Sequence, residues 1–121
     1  MIVPEDFLKL AENLFGFGDE EVIYRTAISR CYYYAFHFVR ENCGMHSDAF
    51  FKYDHEDHKE VIDFFRRVGR RDLASMIRSF RDKRNNADYE LTLNISREQA
   101  IEFINDVKSF VVEVKNSGLI T

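Results

Sequence analysis

The ten residues from Arg81 to Glu90, RDKRNNADYE, carry most of the chemistry this chain can offer. Leu73, Ile77, Phe80, Arg84 and Ala87 recur at helical spacing and define a core-facing seam. Arg84 therefore falls where a Leu is expected. A guanidinium stays charged in proteins and is costly to bury without a partner. A carboxylate, a cleft open to water or an anionic ligand must receive it. Asp88 lies one turn after Arg84, and Arg81 one turn before, so Arg81, Arg84 and Asp88 make a polar cluster beside the seam. Asn85 and Tyr89 make a second one-turn pair on the adjoining face. Two readings stay open. Either Arg81 and Arg84 clamp Asp88 and fix the register of a bundle, or Arg84 presents its charge to a phosphate.

Histidines and acids form a second group: His46, His55 and His58 with Asp54 and Asp57. On a helix beginning near His55, His55 and His58 share a face, and with a carboxylate they have the ligand types of a divalent-metal site. The bland reading is a solvated helix start with acids at the positive end of its dipole. The spacing matches no defined metal motif, so no metal and no cofactor is assigned. His37 falls in an aromatic run and reads as a core histidine with its polar needs met.

Charge is unevenly spread. The chain holds 17 basic and 21 acidic residues, a formal net charge of −4, which excludes a uniformly basic nucleic-acid binder. From Arg66 to Arg84, however, eight basic residues face only Asp72 and Asp82, a local +6 that leaves −10 for the rest. That run is either an electropositive surface for phosphates or an ordinary solvated face at a helix–helix turn.

The elements that position these residues are helices. Pro4 is the single proline, so nothing later interrupts a helix. Pro4, Glu5 and Asp6 open a short first helix with an apolar stripe of Phe7, Leu10, Ala11 and Leu14. Gly16 and Gly18 stop it. A long helix over about 19–42 is apolar or aromatic nearly all round at its centre, RCYYYAFHF, and such a helix must be covered on several sides. The aromatic surplus exceeds what so small a bundle needs and points to a dimer seam. Residues 44–54 read as a loop carrying the exposed pair Phe50-Phe51. A third helix is expected over about 55–68, with Val61, Phe64, Phe65 and Val68 inward, and a fourth over about 71–89. Ser96-Arg97-Glu98-Gln99 is a capping box that starts the last helix. Its expected stripe is Ala100, Ile101, Ile104, Val107, Val111 and Val114.

The expected architecture is all-α: a four-helix up-and-down bundle with a short additional N-terminal helix, one domain over residues 1–121. Cys31 and Cys43 lie on one helix, roughly 18 Å apart, too far for a disulfide, and read as free thiols. The acidic opening does not look like a signal peptide, and no apolar run reaches membrane-spanning length, so a cytoplasmic location is expected.

Three segments in register resemble HEPN domains. Arg25 to His37, RTAISRCYYYAFH, is similar to their long-helix signature. His58-Lys59-Glu60-Val61 followed by Phe64-Phe65 is similar to their third helix. Arg81 to Tyr89, RDKRNNADY, is similar to the fourth-helix motif of the branch that reads Arg, two residues, then Ala-Asp-Tyr. The resemblance implies a homodimer whose motif helices share a cleft, and often a nucleotidyltransferase encoded alongside. Many members are metal-independent endoribonucleases whose motif Arg is followed, after four to six residues, by a His. Arg84 and Asn85 match the opening, but the required positions hold Tyr89, Glu90 and Leu91. A Tyr with its usual pKa of about 10 is a poor base near neutrality, though it can hydrogen-bond a phosphate or stack on a base. The expectation is a bundle that binds RNA or a nucleotide at Arg84, or serves as an interaction module, with catalysis weak or lost. The alternative is an active endoribonuclease toxin, paired with a nucleotidyltransferase antitoxin, that uses Arg84, Asn85 and Tyr89.

Overall fold

A computed structural model describes residues 1–120. The described residues form five helices and no strand, the all-α bundle with a short N-terminal helix that the periodicity predicts. Helix α1 spans Pro4–Asn13 and runs into a 3₁₀ turn over Leu14–Phe17. Helix α2 spans Glu21–Cys43, α3 Asp57–Arg67, α4 Arg71–Tyr89 and α5 Arg97–Asn116. Helix α2 is central, with α1, α4 and α5 packed on it, while α3 packs chiefly on α4. The buried side chains form one continuous core.

Local signals explain the ends. At the start of α5, Ser96 Oγ accepts from Gln99 N at 3.1 Å and Gln99 Oε1 accepts from Ser96 N at 2.8 Å, the expected capping box. Gly69, at φ 80°, ends α3 in the left-handed conformation that favours glycine, and Arg70 N bonds back to Phe65 O at 2.8 Å. Helix α3 starts two residues later than expected. Asp54 Oδ1 accepts from Glu56 N at 2.9 Å, which keeps residues 54–56 in a turn outside the helix.

Two expected stripes are rotated. Leu10 is 45% exposed and Ile101 is 40% exposed, against the reading that placed both inward. At about 100° per residue, Ile101 stands roughly 120° from the centre of the face that Ala100, Ile104, Val107 and Val111 share with Phe103 and Phe110. The two phenylalanines, both fully covered, set that face and turn Ile101 out. In α1, Phe7, Leu8 and the buried Ala11 set the contact face and leave Leu10 at its edge. Val68, half-buried, packs against the core as expected, and Ile62 joins the inner face of α3 as well. Phe50 is exposed as expected, whereas Phe51 packs near Phe64, with ring centroids 6.4 Å apart.

The aromatic centre of α2 is covered within one chain. Tyr32, Tyr34, Phe36 and Phe38 are all buried, and only Tyr33 and His37 remain half-buried. Most of these rings are covered by α1, α3, α4 and α5 of the same chain. Cys31 and Cys43 are buried free thiols, pushed up by burial to about 12 and about 11 respectively. No helix among the described residues is long and apolar enough to cross a membrane.

Candidate functional site

Helix α4 buries Leu73, Ala74, Ile77, Phe80, Arg84 and Ala87, so the seam with an arginine in it is real. Arg84 is 8% exposed. Its Nη1 donates to Asp88 Oδ2 at 3.3 Å, one turn along the same helix. Asp88 also accepts from Ser29 Oγ of α2 at 3.2 Å, and Arg30 Nη2 donates to that hydroxyl at 3.3 Å. The Arg84 Cζ stands 5.4 Å from the ring centroids of both Tyr32 and Tyr33. Cation–π attraction to two faces compensates part of its lost hydration. Its Nε is buried and has no hydrogen-bond partner. A native buried donor without a partner calls for an explanation, because a missing bond costs about 1–3 kcal/mol.

Arg81 stands one turn before Arg84, half-buried, and forms no ion pair among the described residues. It borders an open groove of about 620 Å³ whose other walls include His55, Lys59, Glu60 and Arg67. The cluster of Arg81, Arg84 and Asp88 therefore splits: Arg84 pairs with Asp88, while Arg81 stays free. Asn85 is half-buried and Tyr89 is 70% exposed, and neither side chain makes a hydrogen bond among the described residues. Tyr89 lies about 140° round the helix from Arg84, so the two do not share a face.

Three residues that the sequence reading did not assign to this site complete it. Arg30 lies over Tyr33 at 5.0 Å, on the ring that Arg84 also approaches. The second is His58. It is turned inward and stacked on Phe36 with centroids 4.3 Å apart, and its Nδ1 is 2.7 Å from the Tyr32 hydroxyl. Burial first, then the charges of Arg81, Arg84 and Arg40, lower its pKa to about 4, so the imidazole is neutral at pH 7. Burial, more than the opposing pull of Arg81 and Arg84, pushes the Tyr32 hydroxyl well up, so it too stays neutral. His55 is exposed, outside α3, and does not pair with His58 on a helical face. Among the described residues no three His, Cys, Asp or Glu side chains are grouped to hold a metal ion.

The third is Arg25. It anchors the end of α4, whose last carbonyls have no intrahelical partner. From α2, Arg25 Nη1 donates to Asn86 O at 3.3 Å and Ala87 O at 3.0 Å, and Nη2 to Glu90 O at 3.2 Å and to Leu93 O. Its Nε donates to Glu21 Oε2 at 2.7 Å. Each guanidinium nitrogen is used.

The remaining acid and histidine have structural places. Asp57 is 1% exposed. It accepts from Lys52 N at 2.9 Å and Tyr53 N at 2.8 Å, and Arg40 Nη1 approaches it at 3.4 Å. That carboxylate ties the 44–56 loop to α2, rather than sitting as a solvated helix start. His37 stacks on Phe7 at 5.0 Å, and burial, then Arg40, lowers its pKa.

The arrangement gives an aromatic floor of Tyr32 and Tyr33, guanidiniums at Arg30, Arg81 and Arg84, one carboxylate at Asp88, and a neutral imidazole at His58. It has the donors to hold an anion and, at the half-buried Tyr33, a ring edge for a base, whereas Tyr32 is fully covered. Comparison with family models, with curated proteins and with solved structures finds no match to this chain.

Proposed function

We propose that this chain is a HEPN-like helical bundle that binds the phosphate of RNA or of a nucleotide at Arg81 and Arg84, as a homodimer and with catalysis weak or lost. One observation carries the reading. Arg84 is buried over two tyrosines with a single carboxylate bond and an unpartnered Nε, while Arg81 beside it has no ion pair. Arg25, which serves the fold, has every guanidinium nitrogen used, whereas Arg40, on Asp57, leaves its Nε without a hydrogen bond as Arg84 does. An under-used guanidinium beside a free Arg is a phosphate site in waiting. The dimer rests on the resemblance and on two exposed apolar residues, Tyr89 at the end of the motif and Leu91 just past it. Sedimentation at micromolar concentration tests it, and a concentration-independent monomer sinks it.

Binding is tested by fluorescence anisotropy of a labelled oligoribonucleotide across a salt series. Arg81→Ala should weaken binding and reduce the salt slope by about one. Its half-buried, unpaired side chain makes the change tolerable to the fold. Equal affinity and equal slope in the two proteins overturn the site.

The endoribonuclease alternative draws on the neutral imidazole of His58, which shares both tyrosines with Arg84. Cleavage through the 2′-hydroxyl requires a base, an acid and a cation. A pKa near 4 makes His58 a weak base, and Tyr32 a weaker acid than usual, so the expected activity is slow. Robust EDTA-resistant cleavage by the wild type would favour this alternative over the binding module.

A further inference from the structure

We infer that His58 is the third cation of the Arg81–Arg84 site: an anionic phosphate bound there draws one proton from solvent onto the His58 imidazole. The inference deepens the phosphate-binding reading and rests on it. Its ground is geometric. The His58 ring lies 5.6 Å from the Tyr32 ring and 6.0 Å from the Tyr33 ring, and Arg84 Cζ lies 5.4 Å from each of the same two. The imidazole and the guanidinium therefore share the same two aromatic neighbours, of which Tyr33 is the partly exposed one. His58 Nδ1 is bonded to Tyr32 Oη, while Nε2 has no partner among the described residues and is not among the buried unpartnered atoms, so it reaches solvent. A hydroxyl both donates and accepts. Tyr32 Oη donates to Nδ1 of one neutral tautomer, and accepts from Nδ1–H once the ring is charged. The proton is gained without losing that bond, and Nε2–H is then free to donate to an anion.

The groups facing His58 are Tyr32, Tyr33, His37 and Arg40 from α2, and Arg81 and Arg84 from α4. Its neighbour Asp57 is engaged by Arg40 and the loop amides. With no anion bound, three guanidiniums and burial hold the ring neutral. A phosphate between Arg81 and Arg84 offsets the charge that opposes protonation, and supplies an acceptor for Nε2–H.

The test is calorimetric titration of the full chain with oligouridylate, whose diesters do not titrate near neutrality, in two buffers of different ionisation enthalpy. If binding restores an ordinary His pKa of about 6.5, roughly 0.75 proton is taken up per site at about pH 6, and affinity is about fourfold higher there than at about pH 8. Uridine 5′-diphosphate in a parallel arm separates a free nucleotide from an RNA backbone, and the tighter ligand names the source. His58→Gln should bind with no uptake and a flat pH profile. Because that variant removes a stacked ring and can fail to fold, the His58 resonance is also followed in the wild type by NMR. A titration midpoint that rises by more than a unit with ligand supports the inference. An unmoved midpoint under saturating ligand overturns it while leaving the phosphate site standing. Binding of neither ligand overturns both.

Discussion

Two buried arginines divide this molecule. Arg25 and Arg84 are 9% and 8% exposed, both on helices, both beside a carboxylate one turn away. Arg25 uses every guanidinium nitrogen: on Glu21, on two carbonyls of the last turn of α4 and on two just beyond it, Glu90 O and Leu93 O. Arg84 makes one 3.3 Å bond and leaves its Nε buried and unpaired. Burial alone therefore does not tell a structural cation from a ligand-binding one. Unpartnered donors separate these two, though not every arginine: Arg40, which holds Asp57, also leaves its Nε buried without a hydrogen bond, so what sets Arg84 apart is that donor together with the free Arg81 one turn away.

The largest effect expected from this contrast is at Arg25. Arg25→Met strands the carbonyls of Ala87 and Leu93, while Asn86 O and Glu90 O keep the amides of Glu90 and Leu93, and should cost on the order of 3 kcal/mol. Urea denaturation measures it, and a loss within about 0.5 kcal/mol would erase the distinction. Arg84→Met keeps the apolar stem over Tyr32 and Tyr33. It should cost only about 1–2 kcal/mol, because Asp88 retains Ser29 and its side chain is 27% exposed. A loss equal to that of Arg25→Met would make Arg84 a clamp.

A smaller effect follows from pH. His58 is neutral when folded, with a pKa near 4, against about 6.5 unfolded. Between those values the unfolded chain binds more protons, so stability falls as pH drops from about 6.5 towards 4. The ring is only half-buried, so solvent screening brings its share down to about 1–2 kcal/mol. In His58→Gln the decline over that window should be shallower, which denaturant midpoints at several pH values will read. His37, lowered in the same direction, keeps part of the slope in place.

Least change is expected at Tyr89. Tyr89→His restores the spacing of an Arg-to-His motif, yet the position is exposed and about 140° from Arg84 round the helix. Stability should move by less than about 0.5 kcal/mol, and EDTA-resistant RNA cleavage should not appear. A gain of cleavage would return the chemistry to position 89.

Much of this was legible in the chain, for identifiable reasons. The α4 seam was readable because one wrong-typed residue, Arg84, interrupts a regular apolar spacing. The capping box at Ser96 was readable because its partners lie three residues apart. Arg25 was not, since it bonds to backbone carbonyls 61 to 68 residues away, and a carbonyl has no residue type. His58 was noticed but given the wrong company. Its partners are Tyr32 on α2 and the charges of α4, which only tertiary packing brings to it, and the local reading joined it to His55 instead. Leu10 and Ile101 failed more narrowly: the period was right, and Phe7 with Leu8 in α1, and Phe103 with Phe110 in α5, chose the rotation.

The most direct test is the affinity of folded Arg84→Met for an oligoribonucleotide, measured beside the wild type at low salt. The account predicts binding at least tenfold weaker, about 1.4 kcal/mol or more, in a variant whose circular dichroism and cooperative unfolding are retained. Wild-type affinity in that folded variant would contradict it, and would place Arg84 with Arg25 as a residue that serves only the fold.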